Sequence, residues 1–329
     1  MPPRDRALAA LVAVCWGLNF PAIHLSLEHF PPFFLAALRF AVIAVPTVLL
    51  VPRPAVRTRW LLGYGMGFGV LQFAFLYLAM ESGMPPGLAS LVLQSSAPFT
   101  VLLAAALLRE RLTGRQGLGI GVAVVGLGGI AVHRAGLDGV STLLPVLLTL
   151  CAGLGWALGN LSSRQARPER PFRLMLWMSV VPPLPMMVLA LVVDGPTAIG
   201  ASLSSLTSTR ALLALAGLAY TVLVATLVGT GLWTALLARH PSSTVAPFSM
   251  LVPVVGLASS WLVLGERTPV LELALGAMVV GGVLLGSTPG RSGPAGQGRR
   301  VRSAQDEGGG HGRDTLAASG QPEPVGGRG

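Results

Sequence analysis

The residues able to do chemistry in this 329-residue chain are few, mostly uncharged, and set inside long apolar runs. Asn19, Gln72, Gln94 and Ser249 offer amides or a hydroxyl, and Arg39 is the one arginine placed within such a run. Trp16, Trp156, Tyr220 and Trp233 add aromatic faces. Amides, a guanidinium and aromatic rings suit a polar or zwitterionic solute; none of them is a ready nucleophile. Enzyme chemistry finds little else to use. The chain has no lysine, which excludes a P-loop and a Schiff base, and it carries no zinc motif, nucleophile elbow or GxGxxG. No cofactor and no metal are expected. Cys15 and Cys151 lie in apolar runs and are expected to be small buried hydrophobes, not a disulfide.

Prolines sharpen the choice of residues. Pro98 follows Gln94 by four residues and lacks an N–H, so the Gln94 carbonyl is left open beside its own amide side chain. Pro21 stands two residues after Asn19, and Pro247 and Pro253 flank Ser249. Each polar group also fits a plainer role, an interhelical hydrogen bond worth about 1 kcal/mol. Arg39 fits three roles: a carboxylate partner, a snorkelling side chain, or a clamp on backbone carbonyls. The acidic residues Glu28, Glu81, Asp194, Glu266 and Glu272 fall near the ends of apolar runs, which leaves His24 and Glu81 as the only candidates for proton coupling.

The elements that position these groups are membrane spans. The chain is 52% hydrophobic and 11% charged, well under the ~25% charged of soluble proteins, so lipid is the expected solvent. The fold class expected is all-α integral membrane, with ten spans at 7–27, 33–52, 60–80, 86–108, 115–133, 142–163, 172–193, 211–237, 243–264 and 270–287. Arginine placement supports the count. With the N-terminus inside, the short loops and N-terminus hold 13 arginines inside against 3 outside (Arg134, Arg210 and Arg267), which predicts both termini cytoplasmic. The formal net charge of +10 therefore reports topology, not nucleic-acid binding. Residues 1–6 are expected as a cytoplasmic N-terminus, and 288–329, rich in Gly, Pro, Ser and Arg, as a disordered cytoplasmic tail. Glycine pairs spaced by four (Gly63/Gly67, Gly65/Gly69, Gly117/Gly121, Gly155/Gly159 and Gly282/Gly286) are expected to be close-packing faces.

The two halves look alike. Trp16-Gly17-Leu18-Asn19 in span 1 parallels Trp156-Ala157-Leu158-Gly159-Asn160 in span 6, and Glu110-Arg111 before span 5 parallels Glu266-Arg267 before span 10. Five spans per repeat is odd, so the second repeat must be inverted: 7–137 and 138–287 form two inverted five-helix units, a plan that places a site between the halves.

These residues also resemble a known family. Trp16-Gly17-Leu18-Asn19-Phe20, Leu38-Arg39-Phe40 and Glu110-Arg111-Leu112 are similar to the EamA family of the drug/metabolite transporter superfamily, over about residues 7–287. Gly83 to Gln94 and Val245 to Ser259 resemble its bacterial O-acetylserine/cysteine exporter branch. The resemblance implies export of small amino-acid metabolites across the bacterial inner (plasma) membrane, by alternating access around a cavity lined by both halves. Export of another metabolite or drug, and a scaffold or lipid-interacting protein whose polar residues only pack helices, are the alternatives. The partners expected are an amino-acid-like small molecule and the bilayer, with a homodimer allowed and nucleic acid excluded.

Overall fold

The computed structural model describes residues 1–138, 143–240 and 242–287. The expected tail at 288–329 lies outside the described residues. All regular structure among them is helical. Nine apolar helices of 18 residues or more run Pro3–Leu27 (α1), Pro32–Leu50 (α2), Thr58–Glu81 (α3), Pro86–Leu108 (α4), Gly114–Gly136 (α5), Leu143–Ala166 (α6), Pro171–Asp194 (α7), Thr209–Arg239 (α8) and Pro247–Leu264 (α9). A shorter apolar helix, Val270–Gly286 (α10), completes ten. Proline opens α2, α4 and α7 at the first helical position, where its missing N–H costs nothing. Leu49, Leu50, Val132, Leu184, Val192, Leu262 and Val270 are all exposed on the outer surface, as a lipid-facing belt requires. The chain is a multi-pass membrane protein.

The helices pair in a two-fold pattern. α1 packs on α8 and α9, and its counterpart α6 packs on α3 and α4. The remaining pairs, α2 with α7, α4 with α9 and α5 with α10, join equivalent helices of the two repeats. Departures from α geometry in α3, α4, α8 and α9 obey the same correspondence, whereas the interruptions of α1 and α7 have no counterpart in α6 and α2. α3 holds a π-helical segment at Gly65–Leu71, and α8 holds one at Tyr220–Gly229. α4 tightens to 3₁₀ at Leu93–Ser95, and α9 begins within a 3₁₀ segment at Ala246–Met250. α4 ends on left-handed Arg109 (φ 56°) and α9 on Gly265 (φ 67°), each directly before the Glu-Arg pair. Two five-helix repeats are thus built alike and inserted with opposite sense.

Small residues set the closest crossings. A Cβ on Gly67 of α3 would lie 2.5 Å from the Gly159 nitrogen of α6, so only hydrogens fit between the two backbones. Gly65 and Gly69, on the other side of α3, abut Val181 and Pro182, where α7 is interrupted between Met178 and Pro183. The two overlapping glycine pairs of α3 therefore serve two different neighbours. On α5 the expected pair Gly117/Gly121 faces open space, and Gly119 instead packs against Gly282 and Gly286 of α10. Spacing alone does not distinguish these glycines, which lie on neighbouring stripes of one helix. Cys151 is likewise exposed rather than buried, because it lies on the outward face of α6; Cys15 is buried as expected.

Polar contacts tie the helix ends together. We call the end that carries Met1 the N-terminal end, and the other the far end. At the far end the Glu266 carboxylate accepts the Gly87 N–H at the start of α4 (2.9 Å), and Asp194 accepts the Phe34 N–H at the start of α2 (2.9 Å). Carboxylates stabilise exposed helix N-termini in this way. At the N-terminal end His240 of α8 lies 2.6 Å from Asp5 of α1, and Glu110 pairs with Arg164 of α6 at 2.7 Å.

Candidate functional site

The interior is organised by α8 at its π-helical segment. The indole N–H of Trp16 donates to the Ala225 carbonyl (3.0 Å), and the Tyr220 hydroxyl donates to the Cys15 carbonyl (3.1 Å). The Trp16 ring lies 5.2 Å from that of Trp233. Three of the aromatic residues singled out from sequence thus lie along the α1–α8 contact. The wider i→i+5 backbone turn gives this segment its geometry, and Thr226 donates to the Thr221 carbonyl, five residues back, at 2.7 Å.

The next residue along α8 carries the network to the first repeat. Arg39 Nη2 donates to Thr226 Oγ1 (3.1 Å), and Nη1 donates to the Tyr77 hydroxyl of α3 (3.0 Å). The guanidinium carbon stands 4.0 Å from the centre of the Phe73 ring and 5.5 Å from that of Phe40. Rings then continue from Phe73 to Phe68 (5.7 Å) and from Phe68 to Trp156 of α6 (6.1 Å). A path of aromatic and polar groups therefore joins Trp16, Arg39 and Trp156 through α1, α8, α2, α3 and α6, with the step from Trp16 to Thr226 running along the Ala225 backbone. Tyr77, Phe73, Phe68 and Thr226 complete it, and none of them was among the site residues expected from sequence. Tyr77 is an aromatic near the expected end of span 3, and Thr226 is a hydroxyl inside an apolar run; only the fold brings them to Arg39.

The amide residues stand at breaks in regular helix geometry. Asn19 opens the second segment of α1, directly after the irregular residue Leu18, and its buried Oδ1 has no hydrogen-bond partner. Gln72 follows the π segment of α3; it is buried, and its Oε1 is also unpartnered. Gln94 lies in the 3₁₀ turn of α4, with Nε2 4.0 Å from the Met250 sulfur, so α4 meets α9 next to Ser249. Asn160, the counterpart of Asn19, is exposed and reaches Thr100 at 3.5 Å in a separate 260 Å³ hollow towards the N-terminal end. Trp177 donates to the Val51 carbonyl and fastens α7 to the end of α2. Among the described residues His24 pairs only with Glu28, one turn along the same helix.

A larger cavity of about 630 Å³ opens at the far end. Phe33, Leu78, Glu81 and Asp194 line it, together with Ser202 of a short helix, Pro196–Ser204, that the sequence reading treated as loop. The ring of His29 bonds the Ser202 carbonyl at 2.8 Å and fixes that helix over the cavity. Among the described residues no group of three or more His, Cys, Asp or Glu is placed to hold a metal.

Two inverted five-helix repeats that share one interior are the plan of a membrane transporter. The chain belongs to the EamA-like transporter family, whose model matches residues 7–132 and again 143–288. It is 41% identical over 290 residues to a protein of Salmonella typhimurium named a probable amino-acid metabolite efflux pump, covering 87% of this chain and 95% of that one. A protein of Escherichia coli with the same name is 42% identical over 285 residues, covering 85% and 93%. A solved crystal structure at 19% identity superposes with a TM-score of 0.54, covering 87% of this chain and 96% of that one, and shares the fold.

Proposed function

We propose that this protein exports small amino acids and related metabolites, of the O-acetylserine and cysteine kind, from the cytoplasm across the bacterial inner membrane by alternating access. The observation that carries the reading is the interior network drawn from both repeats, together with the buried amide oxygens of Asn19 and Gln72 that have no protein partner; a buried polar atom left unpaired is costly unless a ligand or water completes it. The efflux-pump names of relatives at about this level of identity support the cargo class. Asn19, Gln72, Gln94 and Ser249 would bind the polar groups of the solute, with Trp16, Trp156, Tyr220 and Trp233 as walls and Arg39 between the halves. The arginine distribution supports a cytoplasmic N-terminal end, and the 630 Å³ cavity would then be the periplasmic mouth. Rocking of the repeats has to release the far-end contact of Glu266 with Gly87 and the N-terminal contact of Asp5 with His240 in turn.

The test is uptake of radiolabelled O-acetylserine and cysteine into inside-out membrane vesicles, with a proton gradient imposed and then collapsed. Vesicles containing the protein should accumulate label well above matched empty vesicles. No excess accumulation of either compound, with folded protein confirmed in the membrane, would remove the assigned cargo.

A further inference from the structure

Arg39 is 4% exposed, and its guanidinium presents five donors in a fixed fork. Two of them reach only neutral hydroxyls, Tyr77 and Thr226, and Nε has no hydrogen-bond partner. Among the described residues no carboxylate lies within ion-pair distance of it. Glu81 is one helical turn beyond Tyr77 on α3 and lines the far-end cavity, while Asp194 is engaged with the Phe34 N–H. A cation buried in a membrane interior ordinarily finds a counter-ion, because the desolvation cost is otherwise left standing. The treatment of Glu272 shows the contrast: that fully buried carboxylate is met by both His133 and Arg134.

We propose that Arg39 is the carboxylate anchor of the transported solute, and that the carrier therefore selects free amino acids over esters and amines of the same side chain. The inference rests on the amino-acid reading above and names the atom group it recognises. Guanidinium and carboxylate match as two parallel N–H···O bonds, and the Phe73 and Phe40 rings hold the fork in place. The anchor also shares two helices with the far-end cavity. Phe33 and Leu78 line the far-end cavity; Phe33 precedes Arg39 by six residues, about 9 Å of helix, and Leu78 adjoins Tyr77. Arg39 thus lies below the floor of that cavity. Its two hydroxyl partners come from opposite repeats, Tyr77 from the first and Thr226 from the second. A carboxylate that takes donors from this cross-link changes the contact between the halves at the moment of loading.

The experiment is ligand-induced thermal stabilisation of the purified full-length protein with L-cysteine and with L-cysteine methyl ester, which differ only at the carboxylate. The wild type should be half-stabilised by the acid at roughly 10- to 100-fold lower concentration than by the ester, the range expected for a charge-assisted bond. Arg39→Gln should lose that preference, and Arg39→Lys should keep a reduced one, because a point charge replaces the fork. Equal effects of acid and ester on the wild type would overturn the inference while leaving the amino-acid reading intact, and so would a preference that survives in folded Arg39→Gln. If neither compound stabilises the wild type, the amino-acid reading fails and the anchor fails with it. The comparison on wild type needs no variant, so misfolding of Arg39→Gln leaves the inference testable.

Discussion

Gln72→Leu should all but abolish export while leaving the melting temperature unchanged or raised. The two effects have opposite signs for one reason. Gln72 is buried in α3 with Oε1 unpartnered, so the folded protein gains little from this amide and carries its desolvation cost. Leucine has nearly the same volume and no polar atom to satisfy, which makes the exchange neutral or favourable for stability. A transported solute, by contrast, loses a hydrogen bond made in a water-poor interior. For a charged solute group that is about 1.5–3 kcal/mol, or roughly a 10- to 150-fold drop in transport. Asn19→Ala should behave similarly, since Oδ1 of Asn19 is also buried without a partner. Transport assays and thermal unfolding of the same purified variants check both halves of the expectation. A large loss of stability with normal export in the surviving fraction would show that the amides pack helices, the role they would have in a scaffold.

The largest stability effect is expected far from this site. Glu272 stands in the first turn of α10, fully buried, with His133 Nδ1 at 3.0 Å and Arg134 Nε at 2.8 Å, both from α5. The carboxylate also interacts favourably with the N-terminus of its own helix. Removing one partner of a buried ion pair costs about 3–5 kcal/mol. Glu272→Ala should therefore lower unfolding stability in mixed micelles by that amount, and Glu272→Gln by less, because the amide can still accept a hydrogen bond. Elsewhere the α5–α10 crossing is made of close contacts at glycines, Gly119 on Gly282 and Gly286, and Gly126 and Gly129 on Leu275 and Val279. A loss below about 1 kcal/mol for the alanine variant would show that the glycine crossing alone holds these helices together.

What could be read from the sequence follows from which forces act locally. Span limits were legible because apolar length and helix-opening prolines are local: 86–108 was expected and Pro86–Leu108 is found. The short helix Pro196–Ser204 was not, since nine residues are too few for a clear periodic signal. Trp16, Tyr220 and Trp233 were chosen by their depth in apolar runs; Trp16 and Trp233 meet, and Tyr220 bonds the backbone beside Trp16. Trp16 and Arg39 reach neighbouring residues of α8 inside a π-helical segment, and nothing in the run Tyr220 to Gly229 announces that geometry. Arg39 was legible as an unusual cation, but its setting was not. The hydroxyls of Tyr77 and Thr226 arrive from two other helices, one in each repeat.

The most direct test of the central claim, that two repeats alternately expose one amino-acid site, is counterflow in proteoliposomes. Vesicles preloaded with unlabelled cysteine are diluted into a trace of labelled cysteine, with no ion gradient imposed. A carrier that reorients with solute bound predicts a transient overshoot of internal label above the external concentration, followed by slow decay. Monotonic equilibration without overshoot, or no entry beyond that of empty liposomes, would contradict the account.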